Sequence, residues 1–143
     1  MKFYVKIAVV LFFISSSGCA TISGFDQYAY TQATSIKVDA LNVMNLATEN
    51  YTNHLQEVSQ VNNEIEKIYE YEKNRPKNSI TTRMWQRMED TSGHLYAGFI
   101  HRWKDQGKLS QAFVDDEKEL VAKSFDQIAG LESKKIKPSS ITN

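Results

Sequence analysis

One cysteine, two prolines and six glycines are all that 143 residues hold of the usual devices for stapling, kinking and bending a chain. A lone thiol excludes an internal disulfide, on which small secreted domains commonly depend. Scarce proline and glycine leave few places where a helix must stop. Charge of one sign is lacking too: seventeen basic residues face seventeen acidic ones, so no nucleic-acid partner is expected. The N-terminal apolar run, residues 7–14, falls well short of the roughly 20 residues that cross a bilayer. There is no glycine-rich phosphate loop, no HExxH and no GxSxG, and no nucleophile stands at a fixed spacing from a base. The chain is therefore read as a non-enzyme that needs no cofactor.

What is present begins at the N-terminus. Lys2 and Lys6 give a positive start, residues 7–14 are unbroken apolar, and residues 15–18 are small and end directly before Cys19. This is the layout of a signal peptide. With residues 1–18 removed, the remaining chain carries 15 basic and 17 acidic residues, since Lys2 and Lys6 leave with the signal.

Ser16-Ser17-Gly18-Cys19 resembles the lipobox of bacterial lipoproteins, in which a small residue precedes a cysteine that is lipidated and becomes the mature N-terminus. Ser16 stands where that family usually carries Leu. The resemblance implies lipidation at Cys19, and Ala20 in the following position implies the outer membrane of a Gram-negative envelope, facing the periplasm. Several acyl chains hold such a protein firmly, because each buried methylene contributes about 0.8 kcal/mol. Residues 19–24 would then be a short tether.

The rest of the composition favours helix. Neither proline nor glycine occurs between Gly24 and Pro76, and apolar positions recur there in steps of three and four. A capping box at Ser23 and Asp26 would start this helix near Gly24. Unbroken to Lys73 it would be about 70 Å long, and a break is best placed at 48–53, where Thr and Asn lower helix propensity. Arg75-Pro76-Lys77-Asn78-Ser79 reads as a turn. A second helix is expected from Thr81 to Asp105 with Gly107 as its C-cap, and a third after a Ser110 cap with Phe113, Val114, Leu120, Val121, Phe125, Ile128 and Leu131 buried. The expected fold is all-α: one long N-terminal helix, continuous or broken at 48–53, and two shorter ones in an antiparallel bundle over 25–132, with 133–143 as a flexible tail. Residues 75–108 hold seven bases and three acids, while 26–73 and 109–132 are acidic, so helix two should lie against both of the others.

Four side chains on helix two, Asp90, His94, His101 and Asp105, share one face by spacing. His94 and His101 are weak candidates for a metal, because ligands seven residues apart stand about 10 Å apart along a helix. Trp85 and Trp103 are expected in the core, with Arg87, Arg102 and Lys104 paired to acidic neighbours. Over 27–50 the first helix carries few charges, and if it overhangs the others its stripe, with Tyr28, Ile36, Met44 and Tyr51, would be an interaction surface. The function expected is a lipid-anchored interaction or assembly module of the envelope, meeting a protein partner or itself. The alternatives are a periplasmic ligand-binding or enzymatic module with a site on helix two, and a surface-exclusion or immunity-type lipoprotein.

Overall fold

A computed structural model describes residues 24–141. Residues 1–23, where the signal peptide, Cys19 and most of the tether are expected, lie outside the described residues, as do residues 142–143. Within 24–141 the chain is all-helical and has no strand. Its five helices are α1 Gln27–Asn45, α2 Leu55–Lys73, α3 Ser79–Glu89, α4 Tyr96–Gln106 and α5 Gln111–Glu132. None of them is long and apolar enough to cross a membrane.

Asp26 itself caps α1, its carboxylate accepting from the Ala29 N–H at 2.9 Å, so the helix starts three residues later than a Ser23 cap would have it. Ala29, Ala33 and Ala40 are buried along one stripe with Ile36, Val43 and Met44. Three alanines let α1 lie close against α5, where Lys37 pairs with Asp126 at 2.5 Å and Asn45 accepts from Lys118. As the chain rises from 37 to 45 its partners fall from 126 to 118, which makes the two helices antiparallel.

The break at 48–53 is present, and its cause is tertiary. Short 3₁₀ turns occupy Leu46–Thr48 and Tyr51–Asn53. Helix-free backbone there must find other partners: the Ala47 carbonyl accepts from Leu109 N–H at 2.8 Å, Tyr51 N–H donates to the Gly107 carbonyl at 2.9 Å, and Trp103 Nε1 donates to the Glu49 carbonyl at 3.0 Å. Gly107 adopts φ +75°, as a C-cap glycine does. The first expected helix is thus a hairpin of α1 and α2.

The second expected helix is also two. Asp90 Oδ1 accepts from both the N–H and the hydroxyl of Ser92, a local turn that ends α3, and α4 departs from Leu95. Gly98 then passes so close to this turn that a Cβ on it would stand 1.9 Å from the Gly93 carbonyl oxygen. Gly98→Ala should destabilise the fold by about 2 kcal/mol, as overpacking against rigid backbone does; chemical denaturation measures it, and a loss near zero would mean that the turn yields.

Two details at the C-terminal end differ from expectation. Leu120, placed in the core by its spacing, is 41% exposed. The chain after α5 is not a free tail as far as it is described: Lys134 takes φ +58°, Ile136 N–H returns to the Gly130 carbonyl at 3.2 Å, and Ile136 and Ile141 pack on the core.

Candidate functional site

The split of the second expected helix separates the four side chains assigned to one face. Asp90 and His94 sit in the 90–95 turn, and His101 and Asp105 pair on α4 at 3.1 Å with both side chains more than half exposed. Among the described residues no group of three or more His, Cys, Asp or Glu is placed to hold a metal ion. Of the interaction surface assigned to the first helix, Ile36 and Met44 must be withdrawn: they are 1% and 0% exposed. The hairpin at 46–54 folds α2 back over α1, and α5 packs along it too, which buries the stripe that carries Ile36 and Met44. Tyr28 is exposed and meets the Tyr71 ring edge-on at 4.8 Å. Tyr51 is half-buried against Trp103, with ring centroids 5.3 Å apart.

Two features stand out in their place. The first is a buried ionic cluster where the ends of α2 and α5 meet the start of α1. Glu72 and Glu132 are 0% and 2% exposed. Arg75 Nη1 donates to Glu72 Oε2 and to Glu132 Oε2, each at 2.7 Å, and Nη2 donates to the Gly24 carbonyl at 3.1 Å. Asn78 donates to the Glu72 carboxylate, and Tyr71 donates its hydroxyl proton to Asp26 at 2.7 Å. Burial, with the Glu132 charge beside it, pushes the Glu72 carboxyl up to about 7 against the pull of Arg75. Asp26 moves the other way, held low first by the Ala29 N–H and then by Tyr71 and Arg75.

The sequence carried a signal for this cluster that the reading above missed. Glu72 follows Ile65 and Ile68 at the three-then-four spacing of the buried stripe, while the apolar Tyr71 beside it is exposed. A carboxylate on an apolar stripe requires a cation or a proton. Arg75, one turn further on, supplies the cation.

The second feature is a cleft of about 450 Å³ between α3, the 90–95 turn, α5 and Ile141. Met84, Leu95, Leu120, Ile128 and Ile141 give it an aliphatic part, Arg87 and Lys123 bring positive charge, and His94, Ser124 and Gln127 add polar groups. Comparison with protein families, curated proteins and solved structures finds no match for this chain. The chemistry of the cleft must therefore be taken from its own residues. Its one carboxylate, Asp90, is engaged by Ser92. Among the described residues, ion pairs between distant segments are those of Lys37 and Arg75; Arg87 and Lys123 have no carboxylate within 4.0 Å. The pairing expected for the basic middle segment is thus made by Arg75 and not by Arg87, while Arg102 lies over the Phe113 ring at 4.3 Å. Trp85 and Trp103 are buried, as expected.

Proposed function

We propose that the protein is a lipid-anchored envelope protein that acts as a non-catalytic interaction module, tethered through Cys19 at the outer membrane and facing the periplasm. Support for the anchor lies in the sequence of residues 1–19, with its basic start, apolar run and Ser16-Ser17-Gly18-Cys19. The observation that carries the proposal further is the fastening of Gly24 and Asp26 to Arg75 and Tyr71. Gly24 is five positions after Cys19, a span of at most about 18 Å when fully extended. An acyl anchor on Cys19 would hold the Arg75 end of the bundle near the lipid surface and present the helices beyond it to the periplasm.

Acyl labelling and membrane fractionation of the wild type and Cys19→Ala test the anchor. The variant should lose the label and leave the membrane fraction; label and membrane retention that survive the substitution would overturn it. Crosslinking in the native host, read by mass spectrometry, tests the interaction role and should return a reproducible envelope partner. The cleft favours a second reading within the same location, a module that holds a small ligand.

A further inference from the structure

We infer that the cleft between α3 and α5 binds a single-chain anionic amphiphile, its acyl chain lying on Met84, Leu95, Leu120 and Ile141 and its anionic head held by Arg87 and Lys123. The site stands on the fold alone; only the source of the amphiphile, the membrane beside it, rests on the envelope location proposed above.

Four observations converge on this ligand class. The volume of about 450 Å³ lies within the range of single small-molecule sites, about 300–1,000 Å³. Leu120 is 41% exposed on α5, with Glu117, Glu119 and Lys123 around it, and it opens into the cleft, so an apolar guest would cover it. Arg87 and Lys123 come from different helices to the same concavity and have no carboxylate partner within 4.0 Å among the described residues, which leaves both charges for a guest anion. Finally, the lining contains no Phe, Tyr or Trp. A nucleobase asks for such an aromatic platform, and a divalent cation would ask for a cluster of carboxylates. An aliphatic wall with two cations suits an acyl chain ending in a carboxylate or a phosphate.

The C-terminal segment gives the cleft its closing wall. Lys134 at φ +58° turns the chain after α5, and Ile141 comes to line the cleft. The wall therefore exists only because 133–141 folds back onto the bundle.

The test uses the full chain in its native membranes and palmitate bearing a diazirine in its acyl chain, with photocrosslinked peptides mapped by mass spectrometry. Label is expected on peptides spanning 84–95 and 120–128. Arg87→Gln with Lys123→Gln, or replacement of the probe by the corresponding uncharged alcohol, should reduce it about tenfold, the worth of a charge-assisted contact. Leu120→Glu should abolish it, and because Leu120 is a surface position the variant should keep its helical circular dichroism. Competition by unlabelled palmitate against lysophosphatidylglycerol tells a carboxylate head from a phosphate head. Label spread elsewhere, equal label from the alcohol, indifference to all three substitutions, or competition by neither lipid would overturn the site. Repeating the experiment on Cys19→Ala separates the two proposals: cleft labelling that persists in a soluble protein upholds the site whether or not the anchor stands.

Discussion

Arg75→Met is expected to lower the stability of the fold by about 3–5 kcal/mol at neutral pH, the loss typical when one partner of a buried ion pair is removed. The guanidinium is the cation that faces both Glu72 and Glu132, and both carboxylates lie out of reach of water. Without it, Glu132 and the charge that Glu72 keeps at neutral pH stand uncompensated in a medium of low polarity, and three hydrogen bonds to Nη1 are lost. Thermal denaturation of the full chain should show a drop in Tm of about 10–20 °C. The Gly24 carbonyl would lose its donor as well, so protease cleavage near the start of α1 should quicken. A second variant separates charge from shape. Replacing all three residues together by apolar ones, Glu72→Leu, Arg75→Met and Glu132→Leu, should recover most of the stability, since a buried ionic set can often be exchanged for packed hydrocarbon. A loss below about 1 kcal/mol in Arg75→Met would mean that the cluster is solvated in solution and contributes little.

The stripes that build this bundle were legible because helical periodicity is a local property. Ala29, Ala33, Ile36, Ala40, Val58, Val61, Ile65 and Ile68 could be placed from spacing alone, and all are buried. The break near 48–53 was legible in outline, since Thr and Asn weaken a helix, but its stabilising partners Gly107, Leu109 and Trp103 lie more than fifty residues away in sequence. The 90–95 turn was not legible as a break. What ends α3 is the bond between the Asp90 and Ser92 side chains, and the same Asp and Ser can sit exposed on a continuous helix. Ile36 and Met44 show the opposite limit: periodicity says that a stripe will be covered, not what covers it. Leu120 fits the stripe by number and misses it in space because α5 has its apolar face filled by Val121 and Phe125. The cleft was illegible for a related reason, being assembled from three segments that no local pattern connects, whereas Glu72 could have been found by asking which polar residue continued an apolar spacing.

Stability should fall as pH rises from about 4.5 through about 7, and Glu72→Gln should flatten that slope. The Glu72 carboxyl titrates near 4.5 when exposed and at about 7 in the folded chain, so between those values the folded state holds a proton that the unfolded state has released. Folding is then favoured by acid: the contribution is fully present below the unfolded value and is lost as pH climbs through the folded one. Its size is on the order of 3–4 kcal/mol at most, at roughly 1.4 kcal/mol for each unit of displacement. Asp26 acts in the opposite sense, because its folded carboxyl is held low; its contribution is present above 3.8 and disappears as pH drops through the lowered value. The two together place the most stable condition in mildly acidic solution rather than at neutrality. Urea denaturation from pH 4 to 8 measures the slope, and a wild-type profile that is flat or rising between pH 5 and 7 would show that Glu72 is ionised throughout. The same proton governs the Arg75 variant: at pH 5 Glu72 is neutral in the fold, one of the two uncompensated charges is gone, and Arg75→Met should cost markedly less than it does at pH 8.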